Sequence, residues 1–400
     1  MTDKQFSFGD TSIAFEGKPA NELRKMNLLF TLMGVPELTK IGIFLIKTSL
    51  KLNFPVKKII KATLFRQFCG GETLEECQTV VNELYGYGIK SIPDYSAEGQ
   101  QQEKNFADTT AMVRAAILMG GTEPAIDFSV FKITGLGKFE LLEKLQKGAV
   151  LTEPEEMAFE RIKYRVHHLC ETAFQNKVRI LIDAEESWIQ QTIDTLALDN
   201  MRRFNKEKPW VYNTYQMYKT DSMEKLQKLV AQAREEGFVP AVKLVRGAYM
   251  EKERIRAQEQ GYTSPIQPDK AATDWAFDEA LAFCLDNQVA LCVGTHNEES
   301  CSLTMALMKE KNMLPKNPLV CFAQLYGMSD HISYNLAKAG YHVAKYLPFG
   351  PVEAVMPYLF RRAEENKAVT GEMGRELGLI RQELKRRKTL RKNKTTEPAR

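Results

Sequence analysis

An α/β chain folded as a distorted (β/α)8 barrel of TIM type, preceded by an N-terminal helical arm, is the fold class this sequence predicts, and three observations carry it. From about Gly88 onward, short β-branched runs alternate with amphipathic helical runs, as in a parallel sheet with crossover helices. Eight such strands follow one another without interruption, which is the number a barrel of this type requires. No G-x-G-x-x-G follows any of them, and this counts against a doubly wound sheet, the main rival. Gly135-Leu136-Gly137-Lys138 is only a fragment of a phosphate loop.

Residues 1–85 read as a helical arm or cap. Within it, Leu38 to Phe65 mixes Ile, Leu and Phe with Lys40, Lys47, Lys51, Lys57, Lys58 and Lys61 and contains no acid. Two readings stay open: a basic amphipathic segment on a membrane surface, or a core-packing helical pair broken at Pro55. The barrel is expected over residues 86–372, with strands Ile89–Tyr95, Ala125–Ile133, Val178–Ala184, Trp210–Gln216, Ala241–Arg246, Val289–Thr295, Leu319–Leu325 and Tyr341–Tyr346. Between them, Asn105–Met119, Glu186–Leu198, Ser222–Glu235, Ala272–Asp286 and Ser300–Lys311 carry apolar residues at helical spacing, as does Glu353–Asn366 after the last strand. Residues 373–400 form a basic tail, helical or disordered, with a frayed end from Arg381.

The chain is 44% hydrophobic and 26% charged, an ordinary globular composition, and its net charge of +4 lies largely in that tail. The tail lacks interleaved aromatic residues, so nucleic-acid binding is not expected. Seven scattered cysteines without a C-x-x-C pair indicate neither a disulfide framework nor a zinc site, and they fit a reducing compartment. Asp3, Asp10 and Glu16, with no apolar run, argue against a secretory signal or transit peptide, and no stretch is apolar enough to span a membrane.

A barrel of this type carries its chemistry at the C-terminal ends of the strands. The polar residues there are Asp94 and Glu98, Lys132, Asp183 with Glu185 and Glu186, Asn213 with Gln216, Lys243 with Arg246, Thr295-His296-Asn297, Gln324, and Lys345 with Tyr346. So many charged strand ends around one mouth call for a polar ligand to pair them. In the fifth strand Lys243 and Val245 share one face and Leu244 and Arg246 the other, so only one of the two basic residues points inward. Gly247 and Ala248 remove side-chain bulk where that strand ends, leaving room for a flat ligand. Downstream, the adjacent Arg361 and Arg362, trailed by Glu365, have the chemistry of a carboxylate clamp.

Lys243-Leu-Val-Arg-Gly-Ala-Tyr249, Thr295-His-Asn297, Gln324-Leu-x-Gly-Met328, Lys345-Tyr-x-Pro-x-Gly-Pro351 and Tyr358-Leu-x-Arg-Arg-x-x-Glu-Asn366 resemble, in order and spacing, motifs of the proline dehydrogenases, monofunctional eukaryotic-type branch. Phe131-Lys-Ile-Thr134 and Asn213-Thr-Tyr-Gln216 agree with them, and the resemblance covers about Gly88 to Asn366. It implies a distorted (β/α)8 barrel and FAD-dependent oxidation of L-proline to Δ1-pyrroline-5-carboxylate. Hydride would pass from proline C5 to N5 of a non-covalent FAD, and electrons then to a membrane quinone. By the same carry-over, Arg361, Arg362 and Lys132 approach the carboxylate, while Tyr346, Tyr249 and Leu325 wall the ring. Asp183, Asn213, Lys243, Val245, Arg246, Gly247, Ala248, Thr295, His296, Asn297, Gln324 and Glu365 hold the flavin or steady its neighbours.

Two departures from the family pattern stand out: Lys243 replaces the Arg of bacterial members, and Met250 replaces the Trp of bifunctional ones. The implied setting is the cytoplasm, peripheral at the inner face of a bacterial membrane, with a separate pyrroline-5-carboxylate dehydrogenase using the product. The residues alone leave two alternatives open. One is a Schiff-base lyase using Lys132, Lys243 or Lys345, and the other a non-catalytic basic binding protein.

Overall fold

The computed structural model describes residues 6–51, 56–96, 101–364 and 372–396. Its centre is a closed barrel of eight parallel strands in sequential order: β1 (Ile89–Tyr95), β2 (Phe128–Phe131), β3 (Arg179–Ile182), β4 (Val211–Gln216), β5 (Ala241–Val245), β6 (Ala290–Gly294), β7 (Val320–Leu325) and β8 (Val343–Phe349). The ring closes between β8 and β1 along seven residue pairs, from Ile89 opposite Val343 to Tyr95 opposite Phe349.

Two strands differ from the sequence expectation in ways that bear on the site. β8 runs past Tyr346 to Phe349 because the arm continues the pairing: Gly70 donates to the Pro348 carbonyl at 2.8 Å and Gly350 to the Gly71 carbonyl at 3.1 Å. β2 is shorter, since after Lys132 the backbone turns into a short 3-10 helix, Ile133–Gly135.

Strand alternation sorts the core into layers. Inside the barrel lie Ile92, Val130, Leu181, Tyr212, Ala241, Cys292 and Ala344, with alanines leaving volume for the Tyr212 ring. The opposite faces, such as Ile180, Val242, Leu244 and Val293, pack against the surrounding helices. All seven cysteines are free and buried.

The arm builds a separate core. Met26 and Phe30 of helix Ala20–Met33, Ile43 of helix Pro36–Lys51, and Phe65 and Phe68 pack against Val355 and Leu359 of helix Val352–Glu364. Leu379 and Ile380 of the C-terminal helix Glu372–Thr396 complete it. The frayed end expected from Arg381 is thus corrected: the helix runs on through Thr396. Its basic face is neutralised and anchored, because the fully buried Glu383 pairs with Arg386 and Arg387, while Arg387 donates to the carbonyls of Phe15 and Lys18 at 2.7 and 2.6 Å. Pro55, the expected break in the arm, lies outside the described residues.

Candidate active site

Alternation along β5 decides which basic residue faces inward. Lys243 lies on the inner face, and its Nζ donates to Asp183 Oδ1 at 2.5 Å, just beyond the end of β3. Tyr346, on the inner face of β8, donates its hydroxyl to Asp183 Oδ2 at 2.6 Å, and Lys132 Nζ stands 3.4 Å from the same oxygen. Lys243 Nζ also lies 4.9 Å from the centre of the Tyr346 ring. Asp183 is therefore a buried hub joining three strand ends. Burial alone would raise its pKa, but Lys243 and Lys132 hold the carboxyl below its ordinary value, and burial together with the Asp183 charge keeps the Tyr346 phenol protonated.

Beside the hub, and sharing Lys132 with it, opens a cavity of about 550 Å3, bounded among others by Glu185, Trp188, Tyr249 and Arg361; Asp183, Lys243 and Tyr346 are not part of its lining. Arg361 thus reaches the cavity from the helix after β8, whereas Arg362, about 100° further round, is buried with its guanidinium 5.1 Å from the Tyr358 ring. Leu325 is half-buried opposite Tyr346 in the β7–β8 register. Gly247 and Ala248 are exposed at the end of β5. Gly247 has φ 138°, and a Cβ there would collide with the Tyr218 ring. Val245 lies half-buried one inward step past Lys243. Glu365 lies outside the described residues.

Several residues expected at the site make their hydrogen bonds on the outer side of the sheet or at a helix start. Arg246 points outward, where it donates to Asp274 at 2.5 Å, Thr295 Oγ1 at 2.7 Å and Ser300 Oγ at 2.9 Å, so it braces the β6 loop. Asn213 donates to Asp194 at 2.8 Å behind β4. Asn297 caps the following helix by accepting the Ser300 N–H at 2.9 Å, and Gln324 bridges the Thr295 carbonyl and Ser333 behind β7. In each case an even-numbered step along the strand, or a helix start, set the direction, and residue type alone does not show that. Thr295 is buried, and His296 Nδ1 lies 2.8 Å from Ser329 Oγ.

Two of the three lysines considered for a Schiff base are held by other groups. Lys345 lies on the outer face of β8, fully buried, donating to the Met328 carbonyl at 2.5 Å and paired with Asp330 at 2.9 Å. Lys243 is bound to Asp183.

Two residues that were read only as polar strand ends prove central. Glu185 accepts from the backbone N–H of Thr134 at 3.1 Å and from its hydroxyl, and burial pushes its carboxyl up to about 7. Gln216 accepts from the Ala248 N–H at 3.1 Å and donates to the Glu185 carbonyl at 2.8 Å, fixing the turn after β5. The signal available in the sequence was their position directly at the ends of β3 and β4.

Fold and site define a (β/α)8 barrel enzyme whose cation-rich mouth is covered by an arginine-bearing helix. A family model described as proline dehydrogenase matches residues 77–375, and the chain belongs to that family of oxidoreductases. "Proline dehydrogenase 1, mitochondrial" of Dictyostelium discoideum is 33% identical over 384 residues, covering 84% of this chain and 67% of its own length. The human protein of the same name is 38% identical over 282 residues, covering 67% of this chain and 47% of its own. The hydroxyproline dehydrogenase of Xenopus laevis is 33% identical over 427 residues, covering 95% and 90%. Among solved structures, proline utilization A from Bdellovibrio bacteriovorus superposes with a TM-score of 0.70 at 19% identity, covering 90% of this chain and 38% of that one, a likeness of fold.

Proposed function

We propose that the protein oxidises L-proline to Δ1-pyrroline-5-carboxylate with a non-covalent FAD and passes the electrons to a membrane quinone. The observation that carries this reading is the Asp183 hub, which orients Lys243, Lys132 and Tyr346, together with the neighbouring cavity that Lys132, Arg361 and Tyr249 border. The residues fit a flavin. The Gly247–Ala248 ledge is exposed and almost free of side-chain bulk, and the Lys243 cation stands on the same strand, suited to the charge a reduced ring carries. Gly247 and Ala248 would hold the ring edge, with Val245, Thr295 and His296 nearby. When bound, FAD supplies the acceptor for a hydride from proline C5.

The chain's own part is positioning and charge. Arg361, Arg362 and Lys132 would grip the carboxylate; Tyr346, Tyr249 and Leu325 would confine the ring. Burial would favour the neutral amine, whose lone pair assists departure of the hydride. Tyr346 would bear on the choice between proline and hydroxyproline: its hydroxyl is already given to Asp183, and its ring would occupy space a 4-hydroxyl needs. A separate pyrroline-5-carboxylate dehydrogenase would consume the product.

A quinone donor needs a bilayer. No single helix among the described residues is long and apolar enough to cross one. The elbow between helices Ala20–Met33 and Pro36–Lys51, bent by 97°, exposes Leu28, Leu32, Leu38, Ile41, Phe44 and Leu45. Such a contiguous apolar face beside exposed Lys40 and Lys58 suits peripheral attachment to an anionic membrane.

The test is direct. Purified protein is expected to be yellow, and anaerobic L-proline should bleach it with 4-hydroxyproline far less effective. A colourless protein, or one bleached equally by both, overturns the reading in its cofactor or its substrate part respectively.

A further inference from the structure

The C-terminal helix begins against two loops of the barrel mouth. Arg375 pairs with Glu298 at 2.8 Å, beside the β6 loop. The next residue, Glu376, is buried and accepts the backbone N–H of Ser329 at 3.0 Å, in the loop after β7. Ser329 stands at φ 51°, a conformation rarely adopted by residues other than glycine. That conformation is held while the hydroxyl reaches His296 Nδ1 at 2.8 Å, and His296 Nε2 in turn faces the Leu325 N–H at 3.5 Å. Burial lowers the pKa of His296 to about 3, so the ring is neutral. A neutral ring whose Nε2 faces a backbone donor carries its proton on Nδ1 and donates it to Ser329.

A helix that merely covered the arm would have no need of a buried carboxyl here, because burial without partners is costly and raises the pKa of Glu376. The carboxyl is instead the outer end of a hydrogen-bonded line running from Glu376 through Ser329 and His296 to Leu325, which lies across from Tyr346. The family match ends at residue 375, one residue before this line starts.

We propose that Glu376 is a positioning residue. Through Ser329 it fixes the tautomer and orientation of His296 and the placement of Leu325, which makes the C-terminal helix part of the active site. The consequence for flavin rests on the function proposed above; the line itself does not.

Three variants test it. Glu376→Leu is expected to speed amide hydrogen exchange of residues 326–329 in the apoprotein. It should also weaken FAD binding, read by quenching of flavin fluorescence, by about tenfold, as for loss of one buried hydrogen bond. Glu376→Gln keeps an acceptor for the Ser329 N–H and should restore both within about twofold. Ser329→Gly removes the CH2OH group, and with it the bond to His296, while relaxing the backbone at φ 51°, so FAD binding should weaken while Tm holds or rises. Unchanged exchange in folded Glu376→Leu overturns the line, and so does a Gln variant as impaired as Leu. Wild-type FAD affinity in both Glu376→Leu and Ser329→Gly overturns its consequence for the site. A wild type that takes up no flavin defeats the functional reading, and the exchange measurement then decides the line alone.

Discussion

At Asp183 three side chains from three strands meet one carboxylate, and this sharpens what the individual residues do. Arg361 and Arg362 were legible in the sequence as a pair, yet their surroundings differ: one borders the cavity and the other lies buried against Tyr358. Arg361→Met is therefore expected to raise KM for proline roughly 10- to 100-fold with little change in flavin content, since a charge-assisted bond is worth about 1.5–3 kcal/mol. Arg362→Met should raise KM and lower Tm as well, measured by kinetics alongside thermal unfolding; a Tm as low in Arg361→Met would remove the distinction. Against a contribution from His296 that is lost as pH falls below 6.5, Glu185 supplies one that is lost as pH rises. Its folded pKa, about 7, lies above its ordinary 4.5, so the protonated form is the one the fold favours. The stability it contributes is complete below pH 4.5 and is lost as pH rises through 7, on the order of 3 kcal/mol at most. Glu185→Gln should flatten that part of the Tm profile between pH 5 and 8, and an unchanged slope would assign the dependence elsewhere.

At the scale of the element, the end of β5 shows a turn that only glycine fits. Gly247 needs φ 138° and lies against the Tyr218 ring, so its backbone has no tolerance for a side chain. Gly247→Ala is expected to lose about 1–3 kcal/mol of stability and most of its bound flavin, checked by unfolding and absorbance. Normal flavin content in that variant would show that the turn is not part of the flavin site. Alternation explains the remaining surprises here. Arg246, Asn213 and Gln324 sit at strand ends as polar residues should in a barrel enzyme, yet each faces outward, Arg246 and Gln324 fastening the β6 loop and Asn213 bonding to Asp194 of the helix behind β4. A strand end names a residue as near the mouth, and only the register says which side of the sheet it serves.

For the whole molecule, the helix bearing Arg361 and Arg362 has its buried face in the core of the arm, outside the barrel core. The apolar elbow belongs to the same unit, with one face on that core and the other in solvent. Membrane attachment is best tested there. Lys57 pairs with Glu353 and Lys61 with Glu72, so reversing those charges would disturb packing as well as lipid contact. Ile41→Ser with Phe44→Ser changes only exposed positions and should abolish flotation on anionic, quinone-containing liposomes while leaving proline-dependent bleaching intact. Undiminished flotation would move the attachment site off the elbow.

The sequence by itself determined the eight-unit barrel, because β and helical periodicities follow from local side-chain pattern. It also marked Lys132, Asp183, Lys243, Tyr346 and Arg361 as candidates, because strand ends and motif spacing are local too. The tertiary structure alone decided that Asp183 joins Lys243 to Tyr346, 163 residues away from Asp183 along the chain, and that Glu376 reaches Ser329 across 47. Those contacts depend on barrel closure and on helices docking from the two ends of the chain. No periodicity within one segment encodes where another segment will lie against it.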